Sequence, residues 1–243
     1  MKLTNEKAKT GSIIETVSLK GQEQMSFDLM MLETVIKEKN MGMIIRFYYW
    51  DGWWLSIGKN QKDLPRKWFE LEEQKIIKLI RRPTGGTAVL HGGGLTYSIA
   101  WKSPFRKRKE AYSHTSKWLI KIFSSIGMDL RFGNDLLYLN TSNCFATSTY
   151  ADLIDSSGNK RIGSAQYWRQ GCLLQHGEIL LDPPQKLWSE IFNTVPPSPA
   201  PSKVPRKDLD KKLQQKSTSY WSNCNWEFQN YNQWIKAKNK PPD

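Results

Sequence analysis

Three short segments combine residue types that could bind and activate an acyl or phosphate group. The first begins as Arg81-Arg82-Pro83-Thr84-Gly85-Gly86 and leads to three further glycines at 92–94. Paired guanidinium groups and glycine amides suit a carboxylate, a phosphate or a thioester carbonyl. The segment is not a P-loop, because no Gly-Lys-Ser or Gly-Lys-Thr ends it, and it is not a Gly-x-Gly-x-x-Gly dinucleotide turn. The alternative is a plain glycine-rich connection between strands.

The second segment, Lys160-Arg161-Ile162-Gly163-Ser164-Ala165-Gln166, places a lysine just before a run of small residues. Small side chains leave room for a ligand. The ammonium of Lys160 could then act as a fixed positive charge on an acyl carbonyl or a developing oxyanion. The alternative is an exposed lysine in a turn.

The third segment, Leu174-Gln175-His176-Gly177, carries a histidine inside an apolar stretch. Such a histidine is more often a core residue with satisfied hydrogen bonds than a catalytic group. His91, which follows an apolar run at 88–90, has the same two interpretations. His114 lies in a basic segment and is expected at the surface.

Cys144 lies in a polar segment, 143–148, before a predicted strand. A thiol in a loop near cationic groups can be a nucleophile, and the alternative is an idle free thiol. Cys172 is interpreted as a core residue, and Cys224 carries no functional signal. The three cysteines show neither metal-ligand spacing nor a disulfide framework, so we expect a reducing cytoplasm.

Hydrophobic periodicity predicts the elements that must position these segments. Helices are predicted at 25–38, 64–74, around 112–126 and at 184–192; strands are predicted at 75–82, 95–101, 147–155, 160–169 and 171–181. Residues 43–58 are rich in β-branched and aromatic residues, and their break at Asp51-Gly52 predicts a hairpin. Hairpins and segregated helices together predict an α+β fold with a mostly antiparallel sheet.

The composition indicates a folded, basic protein. The chain has 243 residues, with 36 lysines and arginines against 23 acidic residues, which gives a net charge of +13. Its hydrophobic and aromatic content excludes a disordered chain, and no apolar run is long enough to span a bilayer. The excess charge is concentrated at 102–122, with seven basic residues and one acidic residue, and at 196–243, with nine and four. Nucleic acid, an anionic membrane surface and an acidic protein are the candidate partners.

Taken together and in this order, the motifs resemble the lipoate–protein ligase A / octanoyltransferase family. The resembling segments are 81–91, 95–98, 160–166 and 174–182, with weaker support from 45–50 and 55–58. Each motif alone is only moderately specific, whereas four in the right order are specific. The resemblance runs from about residue 24 to residue 193.

This resemblance implies a fold shared with biotin protein ligases: a mostly antiparallel sheet flanked by helices. It also implies acyl transfer to the ε-amine of a lysine on lipoyl domains of 2-oxoacid dehydrogenase or glycine cleavage proteins. An octanoyltransferase would take octanoate from acyl carrier protein onto a cysteine, without a cofactor. The alternatives are a ligase that uses ATP and Mg²⁺ to form lipoyl-adenylate, an amidotransferase between lipoyl domains, and an inactive basic binding module.

By the same resemblance, Cys144 in a Cys-Phe motif is the expected nucleophile, sixteen residues before a catalytic Lys160. The remaining expected substrate-binding residues are Arg81, Arg82, Gly85, Gly86, His91, Gly163, Ser164, Ala165 and His176. Gly92 replaces the acidic residue that usually follows the histidine. This departure weakens any role of that loop in organising nucleotide and metal, and it favours the ATP-independent transferase.

The resemblance also divides the chain and suggests its partners. Residues 1–22 are expected to form an N-terminal extension, 23–195 the catalytic domain, and 196–243 a proline-rich linker with a basic, aromatic tail. Phe228, Tyr231 and Trp234 could form one helical face that docks on the body. Acyl carrier protein and lipoyl domains are typically acidic, so the basic run at 102–122 is the expected docking face. Neither a membrane nor a nucleic acid is expected as a partner.

Overall fold

The structure, a computed structural model, describes residues 9–102, 105–133, 143–145, 149, 151–201 and 203–238. In these ranges the elements are β1 (Lys9–Ile14), β2 (Ser18–Leu19), α1 (Gly21–Lys37), β3 (Met41–Trp50), β4 (Trp54–Ile57), α2 (Arg66–Glu73), β5 (Lys78–Arg81), β6 (Val89–His91), β7 (Gly94–Trp101), α3 (Arg108–Ser124), β8 (Leu130–Phe132), β9 (Leu153–Asp155), β10 (Lys160–Arg169), β11 (Cys172–Leu180), α4 (Gln185–Phe192), α5 (Leu209–Tyr220), β12 (Cys224–Gln229) and α6 (Tyr231–Lys238).

Most strands belong to one large sheet with the order β12-β1-β3-β7-β11-β10-β9-β8, to which β2 adds beside β3. From β3 to β8 every neighbouring pair is antiparallel, whereas β1 runs parallel to both β3 and β12. Helices cover the sheet on both faces. The predicted α+β fold with a mostly antiparallel sheet is therefore confirmed.

The predicted hairpin across Asp51-Gly52 is wrong, although the chain does turn there and Gly52 has φ +88°. The strand after the turn, β4, joins a separate three-stranded sheet of order β5-β4-β6. Both edges of β3 are already occupied, by β1 and β2 on one side and by β7 on the other. Because no edge of β3 is free, β4 has to pair elsewhere.

The two faces of the large sheet bury different helices, because successive side chains on a strand point in opposite directions. Phe47 and Tyr97 face the main core, where Trp118 of α3 packs against them. Tyr48 and Thr96, one residue along each strand, face the side that α1 and the three-stranded sheet cover. His114 of α3, expected at the surface, is half-buried beside Trp101 and Trp221.

Residues 196–238 pack on the body where they are described, and they do not hang from it as a linker and tail. The Ala200 amide donates to Leu181 at 2.6 Å, and the Arg161 guanidinium donates to the Ser198 carbonyl at 2.6 Å. Trp221 is buried in the main core. The chain then forms β12, which extends the large sheet. The predicted boundary at 195/196 therefore falls inside one shared core.

The predicted aromatic helical face is only partly correct. Tyr231 and Trp234 lie on α6 and pack against Phe27, with ring centroids 5.2 and 4.9 Å away. Phe228 lies on β12 and is 65% exposed. The four helices predicted from periodicity correspond to α1–α4, and no helix among the described residues is long and apolar enough to cross a membrane. Residues 147, 148 and 150 of a predicted strand, and Ser202 of the predicted linker, lie outside the described residues.

Candidate active site

A cavity that opens to solvent lies between the large sheet and the three-stranded sheet, and the empty space in it and at its mouth amounts to about 440 Å³. Its floor is the sheet face that carries Tyr48, Thr96 and His176, and β6 with the preceding glycine loop forms the opposite wall. Nine of the eleven predicted site residues line this cavity: Arg82, Gly85, Gly86, His91, Cys144, Gly163, Ser164, Ala165 and His176. The other two, Lys160 and Arg81, do not line the cavity. The Lys160 ammonium approaches the Cys144 sulfur, whereas the Arg81 guanidinium binds backbone carbonyls on the exposed side.

Cys144 is held at the cavity by backbone contacts on both sides. Its amide donates to the Ala88 carbonyl at 3.0 Å, and Asn143 forms an isolated parallel bridge with Ala88. The Phe145 amide donates to the Asn143 side chain at 2.9 Å, and the Phe145 ring is buried against Trp188. The thiol therefore lies in an anchored segment.

Lys160 brings its ammonium to this thiol. Its Nζ lies 3.6 Å from the Cys144 sulfur and 2.6 Å from the Cys144 carbonyl oxygen. Gly163, three residues after Lys160 on the same strand, leaves the space for this approach. A Cβ at Gly163 would lie 3.1 Å from Cε of Lys160 and 3.4 Å from the sulfur.

A buried carboxylate completes this cluster. Asp152 accepts from Lys160 at 3.0 Å, and both side chains are more than nine-tenths buried. Burial lowers the pKa of Lys160, but the sulfur of Cys144 and the carboxylate of Asp152 raise it by more, so the pKa is raised from its usual value. Lys160 is therefore a cation at neutral pH, fixed beside the thiol.

The two consecutive arginines point in opposite directions because they follow strand geometry. Arg82 is buried, and its guanidinium donates to Ser56 and to the carbonyls of Gly85 and Thr87 at 2.7–3.0 Å. It therefore holds the glycine loop in shape. Arg81 donates instead to the carbonyls of Gly58, Lys59 and Gln61 on the exposed side. Arg81 does not line the cavity, and its contact with substrate stays a prediction.

His91 belongs to a chain of hydrogen bonds that runs from the Ser56 hydroxyl through the imidazole ring to the Glu178 carboxylate. Its Nδ1 lies 2.7 Å from Oε2 of Glu178, and its Nε2 lies 2.7 Å from the Ser56 hydroxyl. Burial lowers the pKa of His91 by more than the Glu178 carboxylate raises it, so the ring is neutral. Because the carboxylate accepts, Nδ1 carries the proton and Nε2 accepts from Ser56. Trp50 stacks on the ring at 4.0 Å.

His176 has both ring nitrogens engaged. Nδ1 lies 2.8 Å from Asp28, and Nε2 lies 2.7 Å from the Thr84 hydroxyl. Asp28 is fully buried, and Arg46 binds it at 2.7 Å. Burial raises the pKa of Asp28, but Arg46 and His176 lower it further than that, so the net pKa is lowered. His176 thus matches the interpretation of a hydrogen-bonded core histidine, and it supplies a wall of the cavity.

The sequence reasoning missed three carboxylates of this site: Asp28, Asp152 and Glu178. Each is buried and paired through the tertiary structure with a residue at least eight positions away. Of the three, only Glu178 could have been identified from the sequence. It lies two residues after His176 on one predicted strand, so the two side chains point to the same face of the sheet.

Residues 20–215 match the model of the lipoyl protein ligase A/B catalytic domain. Octanoyltransferase LipM of Lysinibacillus sphaericus is 33% identical over 188 residues, covering 71% of this chain and 68% of the relative. Octanoyltransferase LipM of Bacillus subtilis is 31% identical over 187 residues, covering 71% and 67%.

Solved structures of lipoate-protein ligases have a similar fold. Lipoate-protein ligase A bound with ATP has a TM-score of 0.69 at 18% identity, covering 95% of this chain and 92% of the other. A bipartite lipoate protein ligase from Thermoplasma acidophilum, described together with its E2 lipoyl domain, has a TM-score of 0.70 at 19% identity, covering 95% and 90%. At this level of identity the likeness concerns the fold alone.

Proposed function

The chain belongs to the lipoyl protein ligase A/B catalytic domain family, and from that premise we propose that it carries an octanoyl group on Cys144 and passes it to a lipoyl domain. It is an enzyme of the octanoyltransferase type that its relatives represent. The observation that carries the proposal for Cys144 is the Lys160 ammonium, which lies 3.6 Å from the sulfur at the edge of this cavity.

The first step is thioester exchange. The Cys144 thiolate attacks the carbonyl carbon of an octanoyl thioester on the pantetheine arm of acyl carrier protein, and the carbonyl electrons move to oxygen. When the tetrahedral intermediate collapses, the bond to the pantetheine sulfur breaks, and that sulfur leaves as a thiolate that takes up a proton. The acyl group stays activated as a thioester, so no ATP step is part of the proposal.

Lys160 stabilises the charge that develops in this step. A cation held 3.6 Å from the sulfur is within reach of a carbonyl oxygen on the carbon bonded to that sulfur. Fixed positive charge in a buried site stabilises an oxyanion more than it would in water, because no solvent has to reorganise. Asp152 holds the ammonium in place.

The second step transfers the acyl group to nitrogen. The neutral ε-amine of the lipoyl-domain lysine attacks the thioester carbonyl, the carbon–sulfur bond breaks, and the Cys144 thiolate is regenerated as the amide nitrogen loses a proton. The cavity binds the seven carbons beyond the carbonyl. At about 0.8 kcal/mol per buried methylene, their burial provides substantial affinity without specific polar contacts.

We place the docking face for acidic partners on a different surface from the basic run at 102–122. The basic run at 102–122 lies largely on α3, which packs on the sheet face opposite the cavity. Exposed Lys59 is better placed, because it follows Gly58, where a Cβ would lie 1.7 Å from the Gly86 carbonyl oxygen at the cavity wall. We assign the approach of acyl carrier protein and of the lipoyl domain to this side.

The test is intact-mass analysis after incubation with octanoyl–acyl carrier protein in the absence of ATP. We expect a thioester adduct that is absent in Cys144→Ala and present in Cys172→Ala, because Cys172 is buried in the core away from the cavity. Full activity of Cys144→Ala with free lipoate and ATP would contradict the proposal in favour of a ligase.

A further inference from the structure

The Cys144 thiol and the Lys160 amine are close enough for a reaction other than acyl transfer. Cys144 is half-buried and lines a cavity that opens to solvent, so a molecule as small as hydrogen peroxide reaches its sulfur. The Lys160 nitrogen lies 3.6 Å from this sulfur. A Cβ at Gly163 would lie 3.1 Å from Cε of Lys160 and 3.4 Å from the sulfur, so the glycine leaves the gap between the two side chains open.

The other nitrogen groups around this thiol are engaged elsewhere. Both ring nitrogens of His91 and of His176 are in hydrogen bonds. The Arg82 guanidinium binds the glycine loop, and a delocalised guanidinium is a weak nucleophile. The amide of Phe145, the next residue after the cysteine, donates to a neighbouring side chain at 2.9 Å. Lys160 is therefore the nitrogen best placed to react with the sulfur once that sulfur is oxidised.

Oxidation of the sulfur also prepares the amine to react. Peroxide converts a thiolate to a sulfenic acid, and an ammonium has to lose a proton before it attacks that sulfur. Burial lowers the pKa of Lys160, whereas the negative charges of the Cys144 thiolate and of Asp152 raise it. A sulfenic acid in place of the thiolate removes one of the two charges that raise this pKa. The Asp152 carboxylate, 3.0 Å from the ammonium, is in position to accept the proton.

We propose that hydrogen peroxide converts Cys144 and Lys160 to a sulfenamide, in which the sulfur is bonded to the lysine nitrogen, and that thiols reverse this modification. The thiolate attacks one peroxide oxygen, the oxygen–oxygen bond breaks, and the hydroxide that leaves takes up a proton to form water. The neutral amine then attacks the sulfur, the sulfur–oxygen bond breaks, and a second water leaves as the nitrogen loses a proton. Sulfur is oxidised by two electrons, and the peroxide is reduced to water.

The modification blocks both reactive groups of the proposed acyl transfer at once. Cys144 no longer attacks a thioester, and Lys160 no longer carries the charge that stabilises an oxyanion. The bond also protects the sulfur from further oxidation to sulfinic acid, which thiols do not reverse. A thiol that attacks the sulfur displaces the lysine amine, and a second thiol then releases Cys144 in its reduced form. The sulfenamide goes beyond the proposed function and forms whether or not an acyl group is transferred.

The test is peptide mapping of the reduced protein after treatment with an excess of hydrogen peroxide. Cleavage before Asp152 and Asp155 separates Cys144 from Lys160. We expect the two resulting peptides to remain joined, with a mass about 2 Da below the sum of their masses, and to separate after treatment with dithiothreitol.

A disulfide would cause the same loss of mass, so a cysteine variant is the control. Cys172→Ala combined with Cys224→Ala removes the other two cysteines of the chain and should retain the joined peptides. If the joined peptides were absent from this double variant, the bond would be a disulfide and the proposal would be overturned.

Lys160→Arg is the decisive variant, because it keeps a positive charge beside Asp152 but removes the amine. Its Cys144 peptide should not lose mass and should instead gain about 32 Da as sulfinic acid. A loss of 2 Da that persists in Lys160→Arg would place the bond on a backbone nitrogen, and that result would overturn the proposal.

The wild-type protein by itself also decides the question, so the test stands even if Lys160→Arg fails to fold. Direct oxidation of wild-type Cys144 to sulfinic acid, with no peptide joined to Lys160, would contradict the sulfenamide. Failure of the untreated protein to form an octanoyl adduct would contradict the proposed acyl transfer instead, and it would leave the peptide map unaffected.

Discussion

At the scale of single residues, Asp152 makes the pairing of Cys144 with Lys160 possible. An ammonium that is nine-tenths buried is costly unless a counter-charge accompanies it. Asp152 provides that charge at 3.0 Å and also accepts from the Thr149 amide at 2.7 Å. The same carboxylate therefore fixes the cation and orders a backbone segment that lies a few residues after the nucleophile.

Replacing Lys160 should separate catalysis from stability. Lys160→Ala should slow adduct formation by about 100- to 1000-fold, because the oxyanion loses its fixed charge. It should also lower the free energy of unfolding, because Asp152 is left buried and unpaired. Lys160→Ala combined with Asp152→Asn should recover stability but not rate. Single-turnover kinetics and urea unfolding measure the two effects, and recovery of rate in the double variant would contradict this role.

The neutral state of His91 predicts a pH dependence of stability. Its pKa in the folded chain is lowered from 6.5, so as the pH falls the unfolded chain binds a proton that the folded chain does not. Stability should therefore decrease below about pH 6.5, by at most about 1.4 kcal/mol per pH unit from this residue.

Urea unfolding between pH 7.5 and 5.5 measures this slope. His91→Gln should flatten it. His114→Gln should flatten it less, because the His114 pKa is also lowered but its ring is only half-buried. An equal slope in wild type and His91→Gln would show that His91 titrates normally in the folded chain.

At the scale of elements, the β10–β11 hairpin carries most of the site. One strand bears Lys160 and Gly163, and the other bears His176 and Glu178. Gln170 and Gly171 turn the hairpin with φ of +49° and +73°. Two consecutive positive φ angles are typical of the turns that match strand twist, so this hairpin has a fixed register. A site built on paired strands is held more precisely than one built on loops.

Two glycines of this hairpin should respond in opposite ways to alanine. Gly163→Ala should lower the rate of adduct formation by up to about 100-fold, because the new methyl group displaces Lys160 or the sulfur. Gly171→Ala should leave the rate unchanged and cost about 1 kcal/mol of stability, because its φ is positive while its surroundings are open. Rates from intact mass and midpoints from urea unfolding test both, and an unchanged rate in Gly163→Ala would contradict the tight packing.

At the scale of the whole molecule, the net charge of +13 remains a reason to expect acidic partners. The segment with the largest local excess of positive charge, 102–122, does not adjoin the cavity, since α3 covers the opposite face of the sheet. Charge composition therefore identifies the kind of partner, and the fold decides where that partner approaches.

A charge reversal on each face tests this placement. Lys59→Glu should reduce kcat/KM with octanoyl–acyl carrier protein by about 10-fold at low salt, because electrostatic attraction speeds encounter. The reduction should vanish in about 1 M salt, where the screening length is about 3 Å. Lys117→Glu on α3 is the matched control and should change kcat/KM little. If Lys117→Glu had the larger effect, docking would involve the opposite face.

How far the sequence alone predicts this protein depends on whether a feature is local. The alternating and 3.6-residue patterns predicted α1–α4 and the strands around the motifs, because those patterns record which side of each element is buried. The ordered motifs were sufficient for the family and for nine of the eleven residues at the cavity. The hairpin at Asp51-Gly52 failed because a turn signal does not say whether an edge is free.

What depends on the tertiary structure is every pairing between distant residues. Lys160 with Asp152, His91 with Glu178 and His176 with Asp28 each require strands, helices and loops from different parts of the chain to meet. The integration of residues 196–238 is of the same kind, because a proline-rich stretch is typical of a linker until Arg161 and the main core bind it. The amino-acid sequence alone specifies which chemical groups are available. Only the fold decided which charges are buried together, because burial and electrostatic pairing depend on three-dimensional proximity.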